Sequence, residues 1–430
     1  MVVIFYFLLF ASISSSELFE DYYEEAEKYM QNMTMKEKIG QMFFPRYNHT
    51  NATDDILNKK PGGFVLFAYD FDFDDKYIQD YIYKLQELSI KSIGLPLGLS
   101  VDEEGGTVNR VSLKHRKEGK FPSPQQIYNE SGIEGVLKID QEKRNLLRKF
   151  FLNINLAPVA DLSYDPKDPI YKRTLGRKPE EAAAYISADV DGYVKDNFTC
   201  CAKHFPGHGN NTDTHLDVSY DYRSYEHFKK EDFKTFEAAI AKNIPMIMVG
   251  HNIAMCKDQE YPTSISKIWH DILRQELNYS GLILTDDLSM GAIKKHTNNV
   301  SEAVLAVLAG NDILLTSDYY IHYDAVIKAY EAGNISDNII NMACRRIIAW
   351  KLKYTINTTY NKDESSEEPE TGGSTDNKPE NTDDNTALIV VFSLIGSLIV
   401  IGLIIFFIMY YLRKSRQFDM DKAADIGLVS

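Results

Sequence analysis

Short apolar runs recur along residues 41–316, separated by longer stretches in which apolar positions return every three or four residues. The runs are Gln41–Phe44, Gly63–Ala68, Leu97–Val101, Ile154–Val159, Thr199–His204, Met246–His251, Leu282–Thr285 and Asp312–Thr316. Brief, nearly unbroken apolar runs of this kind read as strands buried on both faces. Between them, Glu226–Lys242, Ser266–Leu277 and Val300–Ala309 carry apolar residues at helical spacing. Thr34 with Glu37 forms a capping box that opens the first helix. Eight strands alternating with helices predict an α/β fold, a single (β/α)8 TIM barrel, over residues 17–360.

The two ends follow other patterns. Residues 1–16 hold an apolar run too short to span a bilayer, then small residues, which predicts a signal peptide. Residues 387–412 form 26 positions without a charge, long enough for one transmembrane helix. Arg413, Lys414 and Arg416 follow that span, whereas Asp383 and Asp384 precede it. The charge asymmetry predicts a single-pass type I membrane protein, with residues 413–430 as a cytoplasmic tail and the catalytic part extracellular or lumenal. Residues 361–386 have no aromatic ring to bury and are predicted to be a disordered acidic stalk.

Charge adds little about the substrate. From Lys362 to Thr386 there are nine acids and two bases, about half of the chain's net −15. No basic face emerges, which argues against a nucleic-acid partner. Ten Asn-x-Ser/Thr sites fit a secreted glycoprotein, and the one at Asn210 is expected to stay unmodified, because a glycan there would obstruct the loop it sits in. Four cysteines, two of them adjacent, predict one disulfide or none.

Chemistry concentrates in Cys201–Asp217, which holds Lys203, His204, His208, Asp213, His215 and Asp217 with two glycines and a proline. A polar, turn-rich loop leaving a buried strand is where catalytic groups are mounted. The His204-x3-His208 pair beside Asp213-x-His215 also has zinc-ligand spacing, so a metal site stays open at this level. In Gly281–Met290 a second apolar strand ends in the paired carboxylates Asp286 and Asp287. Asp102, Asp161, His204, His251 and Asp286 each lie at or beyond the end of a different run, which predicts convergence at the carboxyl face of the barrel.

These segments resemble glycoside hydrolase family 3, in its β-N-acetylglucosaminidase (NagZ-type) branch. The resemblance rests on Lys203 to Gly209 (Lys-His-Phe-Pro-Gly-His-Gly), Asp213-Thr214-His215, Val101–Arg110, Asn155–Asp161, Arg173–Gly176 and Gly310-Asn311-Asp312. It implies a retaining exo-enzyme that removes terminal β-linked GlcNAc from oligosaccharides, peptidoglycan fragments among them, without metal or organic cofactor. Asp286 is implied as nucleophile, and His215 as acid/base oriented by Asp213, on a loop expected to close over the sugar. Asp102, Arg110, Arg173, Lys203 and His204 are implied as sugar ligands. His251, Asp287 and His208 are expected to support them from behind, with Asp287 pointing away from the sugar if strand alternation holds. The β-glucosidases of the family usually add a second α/β domain, which is not expected here.

The chain departs from the family pattern at Glu103, Thr107, Asn109 and Tyr69-Asp70, which leaves aglycone preference open. A β-N-acetylglucosaminide phosphorylase is an alternative, because a neutral acid/base leaves room for an anionic acceptor. An inactive surface sugar-binding protein is another.

Overall fold

In the computed structural model, strands form in chain order as β1 (Phe43–Pro45), β2 (Gly63–Val65), β3 (Gly98–Val101), β4 (Ile154–Asn155), β5 (Thr199–Phe205), β6 (Tyr220–Asp221), β7 (Met246–Val249), β8 (Ile253–Ala254), β9 (Leu282–Thr285) and β10 (Leu314–Thr316). The structure describes residues 17–209 and 219–355, all within the unit Met1–Asn361. Eight of the strands match the predicted runs. The short β6 and β8 pair only with each other and had no hydrophobic signature.

Parallel pairing runs β2-β3-β4-β5-β7-β9, with β1 pairing β10. Single parallel bridges, Arg46 with Val65 and Leu284 with Ile313, link the two ladders. The result is a curled, barrel-like parallel sheet in which the eight long-range strands follow one another in chain order. Parallel neighbours need a crossover, and helices such as Asp75–Ile93, Pro124–Lys149 and Pro179–Lys195 supply it. The predicted strand Ile154–Val159 stops early, at Asn155, and resumes as a lone bridge from Val159 to Lys203. Pro158 lies between and has no N–H to continue the ladder.

Side-chain alternation divides the core. Met246, Met248, Leu282 and Leu284 join one apolar cluster, whereas Ile247, Val249 and Ile283 join another. Met248 lines the central cavity, so the first set faces inward and the second meets the helices. At the amino ends of the strands, Trp350 from helix Asp337–Tyr354 closes the interior against Phe44, with ring centroids 6.3 Å apart. The Trp350 indole N–H donates to Thr199 Oγ1 at 2.9 Å. Gly63 and Gly98 make room for these rings: a Cβ on Gly98 would lie 2.6 Å from Phe44 and 2.9 Å from Trp350.

Helix readings hold with local corrections. The capping box forms, with Glu37 N–H donating to Thr34 Oγ1 and Thr34 N–H to Glu37 Oε2. Glu226–Lys242 is two helices, Tyr225–Lys230 and Asp232–Ile240, broken at Glu231. The break turns the buried Asp232 carboxylate to Arg223, whose Nη1 donates to both its oxygens at 3.0 and 2.9 Å. Ser266–Leu277 begins as helix Lys267–Asp271 and continues as a wider π turn over Ile272–Glu276. All four cysteines are free thiols. The predicted signal peptide, stalk, membrane span and tail lie outside the described residues, as does Asn210. No described helix is long and apolar enough to cross a membrane.

Candidate active site

The carboxyl ends of β3 and β5 meet through charge. Asp102 follows β3 directly, and the Lys203 ammonium from β5 sits 2.7 Å from Asp102 Oδ1 and 2.7 Å from Glu104 Oε1. Arg173 then clasps Glu104 with two parallel bonds, Nε to Oε2 at 2.9 Å and Nη2 to Oε1 at 2.8 Å. Arg110 Nη2 reaches Asp102 Oδ2 at 3.3 Å. Burial alone would push the Glu104 carboxyl up, but Lys203 and Arg173 outweigh it and hold it well below the usual carboxylate range. Burial would lower the Lys203 ammonium, and Asp102 and Glu104 raise it instead. Glu104, Lys203 and Arg173 therefore stay ionised at neutral pH.

Glu103, between these two acids, faces elsewhere. Its carboxylate accepts from the N–H groups of Arg110 at 2.9 Å and Val111 at 2.7 Å, and from the Ser112 hydroxyl. It braces the turn that carries Arg110, and Asn109 does the same by bonding Gly106 O and Phe121 N–H. Two of the departures from the family pattern thus serve the loop.

His204 and His208 converge on Asp161. His204 Nδ1 lies 2.7 Å from Asp161 Oδ2, and the His208 N–H donates to Oδ1 at 2.7 Å. Burial would raise the Asp161 carboxyl, yet His204 and His208 hold it down at about 2. Beneath this turn Arg223 donates to Gly207 O at 2.9 Å and pairs with Asp221 and Asp232. Gly207 has φ +126°, and a Cβ there would fall 2.1 Å from Asp232 Oδ1, so both the conformation and the space demand glycine.

Asp286 follows β9, its N–H donating to Val249 O at 3.1 Å. Strand alternation ends there. Asp287 lines the same cavity rather than pointing away, because the chain turns out of the sheet after Thr285. Its carboxylate accepts from Ser289 N–H at 2.9 Å and from Ser317 N–H and Oγ at 3.0 and 2.5 Å. His251 is buried behind it, bonding Ser264 Oγ at 2.7 Å and Asp287 O at 3.0 Å.

These groups surround a cavity of about 320 Å³. Of the sequence-predicted ligands, Asp102, Arg110, Arg173, Lys203 and His204 all line it, together with Asp286 and Asp287. Asp213 and His215 lie outside the described residues. Sequence reasoning missed Glu104, whose position beside Asp102 was the available signal, and also Arg46 and Phe67. The last two sit just past β1 and β2, with the Arg46 guanidinium 4.8 Å from the Phe67 ring. Among the described residues no group of three or more His, Cys, Asp or Glu is placed to hold a metal ion.

Comparison with known proteins gives a consistent result. Residues 34–350 match the glycosyl hydrolase family 3 N-terminal domain. A secreted glycosyl hydrolase of Arthroderma benhamiae is 30% identical over 307 residues, covering 67% of this chain and 84% of that protein. A beta-hexosaminidase of Actinobacillus pleuropneumoniae is 33% identical over 270 residues, 59% of this chain and 73% of its own. A family 3 β-N-acetylglucosaminidase from Paenibacillus superposes with a TM-score of 0.70 at 26% identity. That match covers 81% of this chain and 66% of the Paenibacillus chain.

Proposed function

The chain belongs to glycosyl hydrolase family 3 and is a glycoside hydrolase, and we propose that it is a retaining exo-β-N-acetylglucosaminidase. The observation that carries this reading is Asp286 at the carboxyl end of β9, in a cavity also lined by the ion-paired cluster of Asp102, Lys203, Glu104 and Arg173. Such a wall offers a terminal sugar acceptors on Asp102 and charge-assisted donors on Lys203 and Arg173, all held by one another before the ligand arrives.

In the proposed reaction an Asp286 carboxylate oxygen attacks the anomeric carbon as the glycosidic C–O bond breaks. His215, oriented by Asp213, gives its proton to the departing oxygen. Water then attacks the same carbon, His215 takes the proton, and the bond to Asp286 breaks to release the sugar with retained configuration. An imidazole suits this role because it titrates near neutrality. Oligosaccharides ending in GlcNAc, peptidoglycan fragments among them, are the proposed substrates. The proposed setting is outside the cytoplasm, on a type I membrane anchor.

The test is release of 4-nitrophenol from its β-N-acetylglucosaminide by the purified chain, beside Asp286→Ala, with and without phosphate and chelator. Turnover that survives chelator and vanishes in the variant supports the reading. Sugar 1-phosphate as product would replace hydrolysis by phosphorolysis, and absent turnover with sugar binding intact would leave a binding protein.

A further inference from the structure

Beside the catalytic cavity lies a larger one, of about 600 Å³, and the two share Arg46 and Ser317 in their walls. The larger cavity has an unusual lining. Tyr47 and Tyr81 stack in parallel at 5.8 Å, and Tyr69, Phe73 and Tyr320 contribute rings that remain 45%, 50% and 42% exposed. Large rings left this open to water on one continuous wall have packing faces to offer a ligand.

Polar groups punctuate the rings. Asp55 and Tyr319 are 4% and 5% exposed, and both belong to this wall. Asp55 Oδ1 and the Tyr319 hydroxyl lack any hydrogen-bond partner, which is costly for buried polar atoms. Asn48, Asn51 and Ser317 add amide and hydroxyl groups to the same wall, the donors and acceptors that a sugar's hydroxyl and acetamide groups need. Tyr69 and Asp70 also stand here, at a position where the chain departs from the family pattern.

The neck between the cavities is polar and cationic. Arg46 is held over the Phe67 and Tyr69 rings, 4.8 and 4.9 Å from their centroids, and bonds the Tyr69 hydroxyl. Beyond Arg46 the wall holds two carboxylates, Asp55 and Asp70, and the His49 imidazole, while the Lys59 ammonium lies 4.7 Å from the Tyr320 ring centroid. An anionic group would meet repulsion there, whereas a neutral one would not.

We propose that the second cavity binds the neutral N-acetylhexosamine units on the reducing side of an oligosaccharide whose terminal sugar occupies the catalytic cavity. This rests on the glycosidase reading above. The apolar C–H faces of a β-linked pyranose complement aromatic faces, whose quadrupole is negative, and its hydroxyl and acetamide rim complements the polar groups of Asn48, Asn51 and Ser317. The second cavity has nearly twice the volume of the first, so it takes about two further units if the first takes one. The enzyme then prefers substrates of three units to those of two.

The test compares kcat/KM on neutral N-acetylchito-oligosaccharides of two, three and four units with that on the aryl β-N-acetylglucosaminide. Wild type is expected to gain about 10-fold from two to three units and little at four. In Phe73→Ala and Tyr320→Ala, which truncate exposed rings, the ratio of trisaccharide to aryl-glycoside kcat/KM is expected to fall about 10-fold. Rates independent of length, or equal falls on both substrates, would overturn the proposal. Preference for an acidic oligosaccharide of equal length would overturn its neutral character. If the aryl glycoside is not turned over at all, the glycosidase reading fails. The second cavity is then tested alone, by calorimetric titration with the trisaccharide and loss of that binding in Phe73→Ala.

Discussion

The Lys203 ammonium lies 2.7 Å from the Asp102 carboxylate across 101 residues of chain, tying the end of β5 to the end of β3. Because the same ammonium also meets Glu104, one buried cation balances two acids. Lys203→Met leaves Glu104 with Arg173 and Asp102 with only the longer contact to Arg110. A loss of about 3–5 kcal/mol in unfolding free energy is expected, as for other buried pairs broken on one side. Denaturant midpoints measure it. Lys203→Arg is expected not to rescue the loss, because a planar fork does not fit between two carboxylates already placed around a point charge. Wild-type midpoints in both variants would contradict the role.

Asp286→Asn is expected to lower kcat on the aryl N-acetylglucosaminide by about 10³-fold or more, with the melting temperature little changed. Asp287→Asn loses a carboxylate oxygen that accepts from Ser317 and Ser289 but no attacking group, so its kcat should fall by about 10-fold. Equal losses in the two variants would remove the distinction between them.

Acid should act through Asp161. Its folded-state carboxyl is held down at about 2, against an ordinary value of 3.8, so the group stabilises the fold above about pH 4. That contribution, about 2 kcal/mol, disappears as pH falls through 2. In Asp161→Asn, the stability deficit relative to wild type should shrink over this window when unfolding is followed from pH 5 to pH 2. A deficit that stays constant would mean the carboxylate charge is not what matters.

Gly98→Ala forces a methyl group against Phe44 and Trp350 at the closed end of the sheet. Overpacking of about 1–3 kcal/mol is expected, seen as a lower thermal midpoint. KM for the aryl glycoside should not move, because the substitution lies at the amino ends of the strands. A raised KM would show that strain travels the length of the barrel.

The strands were legible because each is buried on both faces, which writes an apolar run into the sequence whatever the neighbours are. Their limits were less so. Ile154–Val159 promised one strand, but the ladder stops at Asn155, and Glu226–Lys242 kept helical spacing through a break at Glu231. Asp102, His204 and Asp286 could be picked out because charged residues seldom close an apolar run without a use, whereas Lys203 was singled out as a ligand by the family resemblance. Glu104 was passed over beside the more conspicuous Asp102. Arg46 and Phe67 carried no signal, since an isolated arginine or phenylalanine has many structural uses.

Local sequence therefore determined where the strands fall, which residues stand at their ends, and which of those can donate, accept or attack. Those properties depend on near neighbours along the chain and on the chemistry of each side chain. The tertiary structure alone decided that Arg173 clasps Glu104, that Glu103 braces a turn, that Asp287 joins Asp286 in the cavity wall, and that an aromatic cavity adjoins the site. The Arg173–Glu104 clasp and the two cavity walls depend on the curl of the sheet, which brings residues distant in the chain together, and the Glu103 turn depends on a loop conformation; no pattern of period two or three and a half encodes either.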